Sequence, residues 1–232
     1  MIASVHLADV GVGKGLAAQP RTPKPARVPG LRSARIGFGA PLGSGLLPKP
    51  DFGRLAMVTF WDDDAALDRF VDSDSLARTF ARGWSVRLAP LRAHGTWPGL
   101  DAGIPVSRKS EYDGPVAVIT LGRLRISQGV RFLRASAKAE AAVLAAPGLI
   151  FATGFGSPPI VSTISLWESP SAVAAYAYDV AGTPHPGAIR EGRQKPFHKQ
   201  EAFIRFRPYA SSGSLGGKNP LAGDWMERAG VA

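Results

Sequence analysis

The chain contains no cysteine among its 232 residues. Disulfide scaffolds, thiolate zinc sites, iron–sulfur ligation and cysteine nucleophiles are therefore excluded. Long apolar runs are also missing, because the two longest, around residues 139–146 and 158–167, fall well short of the roughly 20 residues that cross a bilayer. The N-terminus lacks the basic region and the continuous apolar region of a secretory signal. We therefore expect a cytoplasmic protein that contacts a membrane at most peripherally.

Several catalytic signatures are absent as well. The segment Gly11–Gly15 looks like a phosphate-binding loop, but it lacks a hydroxyl residue after Lys14 and the required glycine spacing. There is no His-Glu-x-x-His motif, no nucleophile elbow and no Rossmann fingerprint. The acidic run Asp62–Asp64 is more typical of a helix cap than of a metal site, because carboxylates favour the N-terminus of a helix.

Acidic residues are scarce relative to basic ones. The chain carries 28 Lys and Arg against 18 Asp and Glu, which gives a formal net charge of +10. Such an excess suggests an anionic partner (nucleic acid, a membrane surface or an acidic protein), although a generally basic surface would explain it equally well. The string Arg35–Gly39 resembles an aromatic RNA-binding signature. The predicted third strands lack its stacking pair of rings, so we expect no nucleic-acid partner.

Short strings recur in the same order in the two halves of the chain. The offsets between them are 118 residues for Pro29 and Pro147, 117 for Phe38 and Phe155, 106 for Trp61 and Trp167, and 118 for Pro90 and Pro208. Near-constant offsets indicate a tandem duplication, in which each half carries one insertion of its own. The two tryptophans should then lie at equivalent strand ends.

Each half has the pattern of a βαββαβ unit. Strand-like and helix-like periodicities alternate in this order, with a helix over 128–144 capped by Ser127 and a last strand over Ala202–Arg207. Three prolines within residues 13–28 allow at most a short first helix in the first half. The predicted fold class is α+β: two ferredoxin-like units that form an α+β barrel within one chain.

The division of the chain follows from this pattern. The first ferredoxin-like half should span residues 1–100 and the second residues 115–210, joined by a linker over 101–114 and followed by a Gly/Ser-rich tail over 211–232. We expect a pocket between the sheet and the helices of the second half. The equivalent pocket of the first half should hold no histidine.

Nine strings along the chain carry a family resemblance. They are Lys49–Ala56, Thr59–Asp62, Gly83–Pro90, Gly95–Gly99, Arg131–Arg134, Gly154–Gly156, Ser165–Ser169, Pro184–Arg190 and Glu201–Pro208. In order and spacing they resemble the spheroidene monooxygenase family of carotenoid biosynthesis, over nearly the whole chain after residue 25. The resemblance implies a haem-containing, oxygen-dependent enzyme that receives electrons from a ferredoxin. It also implies hydroxylation of an acyclic carotenoid end, followed by oxidation of the same carbon to a ketone.

The resemblance singles out one of the four histidines. His185 lies in a family-like string, so it is the candidate axial ligand of the haem iron; haem needs only one such protein ligand. Arg190 and Arg205 are candidate partners of the haem propionates. His198 is the next candidate ligand, whereas His6 and His94 can be packing residues. No catalytic group is assigned.

Partners and alternatives follow from the same residues. The expected partners are an apolar small-molecule substrate, a ferredoxin-type electron donor and a possible peripheral membrane contact. On the residues alone, without the resemblance, His185 reads as an exposed loop histidine. The chain could then be a cofactor-free barrel of the antibiotic-biosynthesis monooxygenase type, a plain ligand-binding barrel or a double RNA-binding module.

Overall fold

Eight antiparallel strands close into one barrel in the computed structural model, which describes residues 1–45, 49–107, 111–178 and 196–230 apart from the side chains of Tyr178 and Met226. The strands are β1 (Ile2–Asp9), β2 (Leu31–Ala40), β3 (Asp51–Trp61), β4 (Trp84–Gly95), β5 (Val116–Leu124), β6 (Leu149–Ser157), β7 (Ile160–Trp167) and β8 (His198–Gly213). Their order around the barrel is β1-β3-β2-β6-β7-β5-β8-β4.

The barrel consists of two four-stranded sheets of the same topology. The first has the order β4-β1-β3-β2 and the second β8-β5-β7-β6, which confirms the predicted tandem ferredoxin-like units. The sheets join at two seams, β2 with β6 and β4 with β8. Phe38 pairs with Gly156 at one seam and Ala89 with Arg207 at the other. In each pair the two residues are 118 positions apart (156 − 38 and 207 − 89), which is the offset between equivalent residues of the two halves. Each seam thus pairs a residue with its own equivalent, so a pseudo-twofold axis passes through both seams.

The two tryptophans occupy equivalent positions, as the duplication predicts. Trp61 is the last residue of β3 and Trp167 the last of β7. The indole N–H of Trp61 donates to Thr59 Oγ1 at 2.7 Å, and that of Trp167 donates to Ser165 Oγ at 2.8 Å. Each indole thus bonds the hydroxyl two residues earlier on its own strand.

One of the sequence echoes is out of register by a residue. Phe38 packs among the helices of the first half, whereas Phe155 belongs to the barrel interior. The strand pairing makes Gly156, and not Phe155, the equivalent of Phe38. Because side chains alternate across a sheet, a shift of one residue moves a side chain to the opposite face. The predicted equivalence of Phe38 and Phe155, at an offset of 117, is therefore wrong, and the structural offset at this position is 118.

The barrel interior is a packed apolar core. Alternate residues of the strands point inward, as the two-residue period of a strand requires. Val5, Leu7, Ile119 and Ile204 are fully buried there, and Phe206 closes against them. The ferredoxin-like sheets therefore cover each other's apolar faces, and their outward faces carry the helices.

The helices of the described residues lie outside the barrel. They are α1 (Val12–Ala18), α2 (Asp64–Ser73), α3 (Ala77–Phe80), α4 (Gly129–Leu144), α5 (Pro170–Tyr178) and α6 (Trp225–Arg228). The predicted short first helix is confirmed, because α1 passes into a 3-10 turn that contains Pro20. None of these helices has both the length and the apolar character that a bilayer crossing demands.

One predicted helix cap is confirmed and two predicted boundaries change. Asp63 caps α2 by accepting a bond from the Ala66 backbone N–H, as expected for the acidic run. Ser127 is not an N-cap, because it lies in a 3-10 turn and α4 begins at Gly129 without a side-chain cap. Strand β8 begins at His198, earlier than the predicted Ala202, so this histidine lies on the sheet.

The β2–β6 seam offers a direct test of barrel closure. A Cβ at Gly37 would lie 2.7 Å from the backbone of Gly156, whereas one at Gly13 in α1 would meet nothing within 4 Å. We expect Gly37→Ala to lower the free energy of unfolding by at least about 1–3 kcal/mol, because backbone atoms cannot move aside as a side chain can. Gly13→Ala, the control, should be neutral or slightly stabilising. Equal urea midpoints for the two variants would contradict this packing of the seam.

Candidate functional site

The layer between sheet and helices is densely packed in the first half. Leu67 and Phe70 of α2 pack on Leu55 and Met57 of β3, and all four are at most 3 % exposed. The Phe70 ring lies 5.2 Å from the ring of Trp61. This side of the molecule is therefore a second core.

A buried polar cluster lies within that core. Ser4 Oγ is 3.0 Å from His6 Nε2 and 2.6 Å from Thr59 Oγ1. His6 lies on the helix-facing side of β1 against Phe80, since its neighbours Val5 and Leu7 point into the barrel. The expectation that this layer holds no histidine is wrong, because strand alternation turns His6 into it.

Burial makes His6 sensitive to acid. Desolvation, with a smaller contribution from Arg87, lowers the pKa of His6 from 6.5 to about 4. The unfolded chain therefore takes up a proton at a higher pH than the folded chain. We expect the free energy of unfolding to be unaffected above pH 6.5 and to fall by about 3 kcal/mol between pH 6.5 and about 4. Urea unfolding of the wild type and of His6→Gln across this range measures it. The same decline in both proteins would assign the acid sensitivity to other groups.

The equivalent layer of the second half is built from smaller side chains. Counting from Trp61 and Trp167 through the strand pairings gives the equivalent positions of the two halves. The first half has His6, Ala8, Ile36, Phe38, Leu55 and Met57 where the second has, in the same order, Thr120, Gly122, Gly154, Gly156, Val161 and Thr163. Met57 is fully buried, whereas Thr120, Val161 and Thr163 keep partial exposure. The duplicated scaffold is thus filled on one side and open on the other.

Small residues also line the helix side of this second layer. Ala135 and Val143 are the buried residues of α4, and Phe132 lies on the same face. The Tyr176 hydroxyl of α5 donates to the Ala139 carbonyl at 3.3 Å, which ties the two helices together. Burial raises the pKa of Tyr176, so this hydroxyl stays protonated. We call this layer, a sheet of small residues beneath α4 and α5 with partly exposed side chains on both sides, the open layer.

His198 lies at one end of this open layer. Its imidazole packs against Gly122, where a Cβ would come within 2.7 Å of the ring, and its centroid is 5.4 Å from that of Phe132. Nδ1 lies 2.8 Å from a carboxylate oxygen of Glu201. Nε2 is buried and has no hydrogen-bond partner. A buried nitrogen without a partner is costly, so it marks a place where a bound molecule would complete the site.

Glu201 orients this imidazole. The hydrogen bond from His198 holds the pKa of the Glu201 carboxyl below its ordinary value, although partial burial acts in the opposite direction. The carboxylate therefore stays ionised and accepts the Nδ1 proton, which leaves the lone pair of the neutral ring on Nε2. The His198–Glu201 pair thus has a fixed tautomer and one ring nitrogen, Nε2, that is uncommitted, that is, without a hydrogen-bond partner.

Residues of α4 and of the preceding turn hold the backbone beneath His198. Arg125 donates from its backbone N–H to the Phe197 carbonyl and from Nε to the His198 carbonyl, at 2.8 and 3.2 Å. Arg131 lies 4.5 Å from the centre of the Phe197 ring and donates to the buried amide of Gln128. The start of β8 is thereby fixed to the helix that covers the layer.

The structure places the predicted site residues unequally. His185 and Arg190 lie outside the described residues. Arg205 lies on β8, on the same face as Glu201 and about 13 Å along the strand, so the two side chains project to the same side of the sheet. His94 is exposed on β4. The pairing of His198 with Glu201 was not predicted, because residues three apart on a regular strand face opposite ways; the register shift between Arg123 and Leu124 brings them together.

Comparison with known proteins identifies relatives along most of the chain. It is 32 % identical over 197 residues to a spheroidene monooxygenase of Rubrivivax gelatinosus, covering 82 % of this chain and 73 % of that protein. It is 31 % identical over 198 residues to a spheroidene monooxygenase of Rhodobacter capsulatus, covering 82 % and 81 %. No protein-family model matches.

The matches among solved structures have low sequence identity. An aldoxime dehydratase aligns over 94 % of this chain and 82 % of its own, with 11 % identity and a TM-score of 0.49. The sequence relatives decide the assignment, because their identity extends through both halves of the duplicated barrel. The protein is an enzyme, a monooxygenase, and it belongs to the spheroidene monooxygenase family.

Proposed function

We propose that this protein is a haem-dependent monooxygenase that inserts an oxygen atom from O₂ into an apolar, carotenoid-like substrate, with electrons from a ferredoxin-type donor. The observation that carries the proposal is the open layer of the second half, with the uncommitted Nε2 of His198 at its end. The relatives named spheroidene monooxygenase support the substrate class.

The residues present fit a haem. A flat macrocycle suits a layer in which glycine, threonine and alanine replace the large side chains of the other half. The buried Nε2 of His198 needs a partner there. We propose His185 as the axial ligand of the iron, with Arg190 and Arg205 pairing the propionates. Haem, when bound, supplies the iron centre at which O₂ is activated.

His198 and Glu201 would manage a proton beside that centre. Glu201 holds Nδ1–H through a hydrogen bond of 2.8 Å, so Nε2 is the only ring atom left to exchange a proton. A carboxylate-oriented imidazole of this kind can accept a proton at Nε2 and return it, which oxygen chemistry at a haem requires. Phe132 and Gly122 fix the ring plane against the sheet.

An apolar substrate suits the same layer. Val118, Val161 and Ala152 line the sheet side with partial exposure, and Phe132 and Tyr176 close it from the helices. These residues exclude water from a bound polyene but offer it few hydrogen bonds. The substrate would therefore be held by shape and burial, which is the usual character of a pocket for an apolar ligand.

The proposal is tested by reconstitution followed by product analysis. Purified protein with added haem should show a Soret band at about 400 nm. With an acyclic carotenoid, a reduced ferredoxin and ¹⁸O₂, the product should carry ¹⁸O at an end of the polyene. Product formation without haem would instead favour a cofactor-free barrel, and the absence of both haem binding and product would refute the enzyme chemistry proposed.

A further inference from the structure

The solvent-facing side of α4 differs from that of an ordinary surface helix. Its exposed residues follow one another at steps of three and four, which places them in a single stripe: Val130, Arg134, Lys138, Ala141 and Leu144. Val130 is 67 % exposed and Leu144 48 %. A surface stripe normally carries charges of both signs, whereas this one has large apolar residues at both ends and only positive charges among its charged residues.

The turn before α4 extends this stripe. Ile126 is 86 % exposed, the most exposed large apolar residue among those described. Arg125 and Ser127 beside it are exposed as well. The one acid of α4, Glu140, accepts a bond from the Gly43 backbone N–H at 3.0 Å and is only partly exposed. Ile126 and the α4 stripe together form what we call the α4 ridge, and no acidic residue belongs to it.

We propose that the α4 ridge docks on an anionic phospholipid surface. Apolar side chains beside Lys and Arg, on a helix lying parallel to the surface, are typical of interfacial attachment: the apolar groups enter the headgroup boundary and the cations pair with phosphates. From Val130 to Leu144 the stripe is about 21 Å long, enough for a helix to rest along a membrane. An acidic protein would match Arg134 and Lys138 but would leave Ile126 and Val130 without a complementary surface.

The ridge lies over the candidate site. Its opposite face carries Phe132 and Ala135, which cover the open layer, and Arg125 is bonded to the backbone of His198. Docking would therefore bring the helix that covers this layer to the bilayer surface, where an apolar substrate is dissolved. This use of the surface rests on the proposed function, whereas docking itself requires only the ridge.

The test is co-sedimentation of the full chain, without haem or substrate, with vesicles of phosphatidylcholine alone or mixed with phosphatidylglycerol. We expect binding to the anionic vesicles that weakens with added salt. The double variant Ile126→Ser/Val130→Ser should lower the partition coefficient about ten-fold through lost apolar burial. Arg134→Gln/Lys138→Gln should lower it roughly five-fold for each charge removed.

Matched controls separate the ridge from general surface properties. Val106→Ser removes an apolar residue that is 64 % exposed elsewhere, and Arg78→Gln/Arg82→Gln removes two exposed cations of the first half. Both should bind as the wild type does. Equal losses in controls and ridge variants, or no binding to anionic vesicles, would overturn the proposal. The proposal would also be overturned if Arg134→Gln/Lys138→Gln lost ferredoxin-driven turnover but still bound vesicles, because the cations would then serve a protein partner. A failure to bind haem leaves this assay unaffected.

Discussion

His185→Ala should leave the protein unable to retain haem. If His185 supplies the only protein bond to the iron, its removal leaves the macrocycle held by apolar contacts and propionate pairs alone. Even changes in the outer shell of a metal site cost about 10–100-fold in affinity, so loss of the ligand itself should cost at least as much. The ratio of Soret to 280 nm absorbance, after identical reconstitution and desalting, should fall by at least about ten-fold.

Two controls make this result specific. His94→Ala alters an exposed histidine of β4 and should keep full haem content. His6→Gln alters a buried histidine of the first half and should affect stability in acid but not haem content at neutral pH. An unshifted Soret band at full occupancy in His185→Ala would show that another residue ligates the iron. Haem loss in His198→Ala, together with retention in His185→Ala, would assign the ligand to His198.

The duplication is the part of the fold that the sequence predicts best. Pro29-Gly30 and Pro147-Gly148 mark the same tight turn in each half, where Gly30 and Gly148 adopt positive φ and lie against Ala66 and Ala172. A turn with such a steric requirement keeps the same residues in both copies. Repeated turns therefore reveal the repeated unit without any knowledge of how the two sheets pack.

Face assignments are harder to predict from sequence, and they decide where the site lies. The Gly-Phe-Gly strings of β2 and β6 look equivalent, yet their phenylalanines point to opposite sides of the sheet. Local strings cannot reveal this, because the bulges that set the register depend on pairing with a neighbouring strand. The same limit applies to His198 and Glu201, which an irregularity in the β5–β8 pairing brings together.

The asymmetry of the two halves can be recognised only when the structure aligns them. Residue by residue, the second layer replaces isoleucine, phenylalanine and methionine by glycine or threonine. Each replacement alone looks like ordinary variation within a strand. Once the strand pairings place them on one face, they describe a continuous loss of volume opposite α4. A duplicated fold can thus keep one copy as a stable core and adapt the other for binding.

His198→Ala should keep haem but lose most of its turnover. The imidazole does not ligate iron in this proposal, so the Soret band should remain. The proton exchanged at Nε2 is lost, and positioned general acid–base groups contribute about 10²–10⁴-fold to rate. We expect kcat to fall on that scale with little change in KM, because an apolar substrate gains little affinity from an imidazole. Stopped-flow turnover with a reduced ferredoxin, on protein matched for haem content, measures both constants.

Glu201→Gln tests whether the pair acts as a unit. Glutamine can still accept the Nδ1–H bond but without charge, so it should retain more activity than Glu201→Ala, in which the ring loses its orientation. The pH profile of kcat should change shape in both Glu201 variants. If His198 and Glu201 had only a structural role, the shape of this profile would stay the same. His94→Ala should leave kcat within about two-fold of the wild type, since His94 is exposed and contributes least to the lowered pKa of Glu201. Full turnover with an unchanged pH profile in His198→Ala would show that the proton passes through another group.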